Sequence, residues 1–157
     1  MTGFELEDPR HPVDRMLQLW KSPPGPDESA VPAFRDVYVD PYRVNGTSMP
    51  VLQIVQRARV LHAALDGLEH VVLDRVEVAN RTVLLLRQEG IHVGPLPTPL
   101  GMLAPTGRRL HRRLVEFIEH DNHRLLQVTA LGDDLERLMQ AEAVCLIEPG
   151  SSSAASE

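Results

Sequence analysis

Asp133 closes a run in which Leu125, Gln127, Thr129, Leu131 and Asp133 recur at period two, a spacing that places all five side chains on one face of a strand. With that face turned to an interior pocket, the carboxyl ends an apolar wall and is suited to taking and returning a proton. A second use of the same residue stays open. Asp133 followed by Glu136 matches a helix capping box, which stabilises a helix start without chemistry. Arg87 and Glu89 form another group, two residues apart and so on one strand face. An arginine between two carboxylates orients both through its planar fork. Arg87, Glu89 and Asp133 together would then activate a water; the other reading of Arg87 and Glu89 is a solvated cross-strand ion pair.

Other chemistries find less support. The seven histidines include no HExxH or HxH arrangement, and Cys145 stands alone, so neither a metal centre nor an intrachain disulfide is expected. His120 and His123 flank a turn. His62 lies on the apolar stripe of a helix, as a core residue or a pocket wall, and His92 opens a proline-rich loop from which it would reach the pocket mouth. No phosphate-binding glycine loop, nucleophile elbow or dinucleotide fingerprint occurs, so no cofactor is expected. The net charge of −6 argues against a general nucleic-acid binder. The local cluster Arg108, Arg109, Arg112 and Arg113 has no interleaved aromatic residues for base stacking; a solvated outer face or a dimer contact is its expected use. No apolar run approaches the roughly 20 residues that cross a bilayer, and MTGFELEDPR carries no apolar signal segment. A cytoplasmic location is expected, with no membrane partner.

The elements that must position these residues follow from periodicity. Val13, Met16, Leu17 and Trp20 recur at helical spacing, and Ser22-Pro-Pro-Gly-Pro26 ends that helix. A second helix is expected from Glu28 to Val37, with Pro32 in its first turn. Tyr38–Val44 reads as an edge strand because Pro41 would break a central one. After the Asn45-Gly46 turn, Thr47 or Ser48 would cap a helix whose stripe is Val51, Ile54, Val55, Ala58, Leu61, His62 and Leu65, stopped by Gly67. Beyond Gly67 the period falls to two. Leu68–Val78 and Thr82–Ile91 make one hairpin, and Arg108–Glu119 with Arg124–Gly132 make another. A short helix over Asp134–Gln140 follows. Helices first and a long antiparallel meander after them define an α+β domain. Its five or six strands must twist and curl, and helices against the concave face leave a pocket. Residues 10–147 are expected to form this single domain, with a flexible segment at 1–9 and a disordered tail at 148–157.

With these residues in place, the chain resembles the SnoaL-like polyketide cyclases of the nuclear transport factor 2-like superfamily. The resemblance spans Pro32 to Val144. It rests on Tyr38-Val-Asp-Pro-Tyr-Arg-Val-Asn-Gly46, Gly90-Ile-His-Val-Gly94, Pro105-Thr-Gly-Arg108, and Leu125 through Asp133 into Leu135-Glu-Arg-Leu-Met-Gln140. It implies a cone of antiparallel strands closed by helices, and cofactor-free acid/base ring closure or isomerisation of a small, largely apolar, polyketide-like molecule. Asp133 falls on the family's acid/base position at the end of the last strand. Contacts to substrate are expected from Trp20, Tyr38, His62, His92, Glu116, Gln127 and Thr129, with His92, Gln127 and Glu116 beside the enolate. Family members commonly carry tryptophan where this chain has Thr129, which would reshape the pocket. A homodimer is also implied. The related limonene-epoxide-hydrolase branch uses an Arg-x-Asp pair and a later aspartate, a pattern that Arg87-Gln-Glu89 with Asp133 imitates; epoxide hydrolysis or epoxide-opening cyclisation is thus a second expectation. A non-catalytic ligand-binding or dimerisation module is a third.

Overall fold

The computed structural model describes residues 10–147. The flexible segment expected at 1–9 and the disordered tail expected at 148–157 lie outside the described residues. Helix α1 (Pro12–Leu19) starts with proline at its first position, where the missing amide has no helical partner to lose, and the His11 ring accepts from the Val13 amide. It buries Val13, Met16 and Leu17. Helix α2 (Asp27–Arg35) buries Ala30 and Phe34. Pro32 falls in its second turn, not its first, because the helix begins at Asp27 on a Pro26 cap.

Strands β1 (Tyr38–Val44) and β2 (Thr47–Met49) form a hairpin about Asn45 and Gly46, both with positive φ (49° and 80°), the backbone that matches strand twist in a two-residue turn. Thr47 and Ser48 are therefore strand residues and cap nothing. The cap of helix α3 (Val51–Ala64) comes from β1 instead, where Asp40 Oδ1 accepts from the Val51 amide at 3.1 Å. Nor does Gly67 end α3. The chain passes straight into β3 (Leu65–Val78), and Gly67, at φ +63°, lies where the ladder shifts register between Asp66 and Glu69.

Strands β4 (Arg81–His92), β7 (Arg109–His120) and β8 (Leu125–Gly132) complete a six-stranded curved sheet of order β2-β1-β8-β7-β4-β3. The α+β class and the helix-closed cone stand, with two corrections. Strand β1 pairs parallel to β8, so the sheet is mixed. It is also an interior strand, and Pro41 is accommodated because the β1–β8 ladder is interrupted between Tyr38 and Arg43. The proline-rich stretch is a small ribbon of β5 (Leu96–Thr98) and β6 (Gly101–Leu103). Helix α4 (Asp134–Gln140) is the last regular element among the described residues.

The main core joins the three N-terminal helices to the concave sheet face through Phe34, Ile54, Val55, Leu84, Leu86, Leu114, Ile118 and Val128. A smaller core under the β5–β6 ribbon gathers Ala64, Leu65, Leu68, Leu96, Leu110 and Ala141. One irregularity decides which side chains look inward. Between Glu119↔Gln127 and His120↔Leu125 the β7–β8 pairing shifts by one residue. A bulge of one residue reverses side-chain parity. Leu125 is buried before it, Val128 is buried after it, and Gln127, Thr129 and Leu131 face solvent.

Candidate functional site

Between the helices and the concave face lies a cavity of about 820 Å³, within the usual range for a small-molecule site. Its wall is mostly hydrocarbon and aromatic: Met16, Leu17 and Trp20 from α1 and its cap, Tyr38, Tyr42 and Val44 from β1, Ile54 from α3, and Leu86, Leu114, Val128 and Ala130 from the sheet. Gln53, Gln56, Arg57 and Val60 line it while remaining exposed, so the opening runs along α3.

Glu116 projects into this space from the middle of β7. Its register neighbours are Leu84 on β4 and Ala130 on β8, so no strand neighbour can solvate the carboxylate. Oε2 is shielded from solvent and has no hydrogen-bond partner. The half-buried side chain is part of the cavity lining. Burial pushes its carboxyl up to about 7, against the attraction of Arg112, which lowers it. Two phenols stand near it. Tyr38 accepts from Trp20 Nε1 at 2.8 Å, leaving its own proton to donate. The hydroxyls of Tyr38 and Tyr42 are held firmly protonated, first by burial, and the charge of Glu116 adds to the effect on both. An acid half ionised near neutrality beside two O–H donors can remove a proton from carbon and stabilise the oxyanion that results.

A second polar group occupies the wall beside α4. Arg112 donates from Nε to Gln88 Oε1 (3.0 Å) and from Nη1 to Asp134 Oδ1 (2.7 Å). Arg137 reaches the same two oxygens, at 3.2 and 3.4 Å. Burial, then repulsion by Arg112, lowers Arg137 to about 10, with Asp134 opposing. On the far side of Gln88, its amide meets His70 Nε2 at 2.9 Å. His70 is lowered to about 4 by burial first, then by His62 and Arg112, so its ring is neutral at pH 7 and accepts the amide proton.

The residues expected from the sequence divide between the cavity and elsewhere. Trp20, Tyr38 and Glu116 line it. Asp133 does not. It caps α4, its Oδ1 accepting from the Glu136 amide at 3.1 Å, and the lining residue is its neighbour Asp134. The β8 bulge is the physical reason: it turns the face carrying Gln127, Thr129 and Leu131 outward, where Gln127 bonds Glu119 and Thr129 pairs with the half-exposed Phe117. Arg87 and Glu89 pair at 3.0 Å on the outer face of β4, and Arg109 joins Glu89 at 3.0 Å. Neither lines the cavity, because Leu86 and Gln88 are the inward residues of that strand. His62 bonds the Trp20 carbonyl at 3.0 Å behind the wall. His92 is fully buried against Thr106, not at the mouth. Arg112 belongs to the cavity and not to a solvated arginine face. Tyr42, His70, Gln88, Asp134 and Arg137 were not among the expected contacts; for Tyr42 the signal was its even spacing from Tyr38. Among the described residues no group of histidine, cysteine or acidic side chains is arranged to hold a metal ion, and no helix is long and apolar enough to cross a membrane.

No family model matches the chain, and no curated protein matches it in sequence. Solved structures do match in fold. TsrD from Streptomyces laurentii is 18% identical with a TM-score of 0.69, over 85% of this chain and 93% of that one. A SnoaL-like polyketide cyclase from Agrobacterium tumefaciens is 16% identical with a TM-score of 0.65, over 83% of this chain and 97% of that one. The chain thus has the nuclear transport factor 2-like fold of proteins named SnoaL-like polyketide cyclases, the fold that the sequence resemblance implied.

Proposed function

We propose that the cavity binds a small, largely apolar carbonyl compound and that Glu116 is the acid/base that drives ring closure or isomerisation on it, without a cofactor. The fold shared with structures named polyketide cyclases supports the class of reaction. The observation that carries the assignment is the Glu116 carboxyl, enclosed in the cavity wall with an unpartnered oxygen and raised to about 7. As carboxylate it removes a proton from the carbon beside a carbonyl; the electron pair of that C–H bond becomes the enolate C=C bond while the carbonyl π pair moves onto oxygen. Tyr38 and Tyr42 donate to that oxygen. The enolate then forms a carbon–carbon bond to a second carbonyl, whose alkoxide takes the proton back from Glu116; isomerisation returns it to a different carbon. Asp133, Arg87 and Glu89 have no part in this route.

Deuterium exchange at the α-carbon of 2-tetralone, a bicyclic ketone, tests the proton-transfer half directly. Wild-type protein in heavy water accelerates exchange, and Glu116→Gln slows it by about 10²-fold or more, the scale of general-base catalysis, while the ketone still binds. Undiminished exchange in the variant removes the assignment. Binding without exchange in the wild type leaves a ligand-binding module.

A further inference from the structure

We infer that the ligand of this cavity carries a carboxylate, held by Arg112 and Arg137 at the wall beside α4. The inference rests on the cavity being the ligand site and deepens that reading by naming a second feature of the molecule it takes. Five N–H groups on each guanidinium share only two protein oxygens, Gln88 Oε1 and Asp134 Oδ1. Among the described residues, neither Arg112 Nη2 nor Arg137 Nε has an acceptor. Charge leads to the same place. Two cations meet one carboxylate, leaving one positive charge in excess at a wall where Arg137 is only 5% exposed and Arg112 20%.

No nitrogen of either arginine is both sealed from solvent and unpartnered, so the unshared N–H groups are open to a ligand acceptor, and a carboxylate adds charge pairing that water does not. Clamping α4 to the sheet would need only one of the two arginines, since each alone spans Gln88 and Asp134. Glu116 attracts Arg112 through space but hydrogen-bonds neither arginine, so its compensation is partial. Across the whole lining, Arg57, Arg112 and Arg137 stand against Glu116 and Asp134, a cationic surface inside a chain of net charge −6. Planar guanidinium groups match a carboxylate in a two-point fork. The remaining wall, with Tyr42, Leu86, Leu114 and Val128, asks for an apolar body. An aromatic or polycyclic acid satisfies both halves.

Calorimetric titration with 2-naphthoate and with its neutral isostere 2-naphthamide, at neutral pH, separates the charge from the ring. The wild type should bind the acid at least about tenfold more tightly than the amide. Arg112→Met should erase that preference by weakening the acid's binding more than the amide's, and Arg112→Lys should keep part of it. Because Arg112→Met also loosens α4, Arg137→Met serves as a second variant, and circular dichroism checks that both fold. Equal wild-type affinity for acid and amide overturns the carboxylate inference while the cavity reading stands; so does a preference that survives both methionine variants. If neither compound binds, both readings fall.

Discussion

Among single residues, the surroundings of the Glu116 carboxyl matter most to the chemistry of the cavity. A glutamate that titrates near its ordinary 4.5 when unfolded and near 7 when folded holds its proton more tightly in the native state. Its effect on stability is therefore absent below about pH 4.5, grows as a cost while pH rises towards 7, and is complete above that. The cost at full ionisation is about 3 kcal/mol. Glu116→Gln escapes it. Thermal unfolding of wild type and variant should show the variant gaining about 3 kcal/mol relative to wild type between about pH 4.5 and pH 8; a difference that does not move with pH contradicts the burial. His70 acts in the opposite sense, since a histidine lowered to about 4 takes stability away as pH falls below its ordinary 6.5, and the comparison with a Glu116 variant removes its contribution. Asp133 is a helix cap. Asp133→Ala should lose about 1 kcal/mol of stability and leave 2-naphthoate affinity unchanged; a calorimetric loss of binding would return it to the site.

Elements decide which residues reach the cavity, and here the sequence was legible up to the first irregularity. From Thr82 to His92 strand β4 alternates buried and half-buried residues, and its inward and outward faces follow from period two alone. In β7, Leu110, Arg112, Leu114, Glu116 and Ile118 share the inner face by the same rule. Glu116 and the inward Arg112 were therefore readable, once the apolar members of that row are taken as core. Strand β8 was not. Its bulge sits against the turn at Asp121–His123, and a one-residue slip leaves no mark in composition, yet it moved Asp133, Gln127 and Thr129 off the cavity. Contacts between distant segments were equally hidden: Asp40 capping α3, and α4 delivering Arg137 to Gln88, depend on chain crossings that local patterns do not encode. Gly94 shows how tightly those crossings are built. A Cβ there would lie 2.4 Å from the Ala63 carbonyl oxygen, which backbone cannot yield without moving α3 or the β5–β6 ribbon. Gly94→Ala should destabilise the fold by about 2–3 kcal/mol, measured by urea unfolding; a neutral result would mean that the ribbon shifts freely.

For the molecule as a whole, the cone works as an enclosure. Three helices and a curled sheet bound a cavity of about 820 Å³ that opens along α3, and burial in its wall raises the Glu116 carboxyl to near neutrality and places the unshared arginine N–H groups where a ligand anion is proposed to sit. This wall underlies the roles proposed for Glu116, Arg112 and Arg137. It was legible in the sequence as a class, helices before a long meander, but not in its chemistry, because Glu116, Tyr42, Arg112 and Arg137 come together only on folding. The Glu116 carboxyl reports that environment directly. Its titration, followed by carbon-13 NMR with Glu116→Gln identifying the resonance, should show a midpoint at about 7. A midpoint near the ordinary 4.5 would mean that water reaches the carboxyl freely, and would contradict the account.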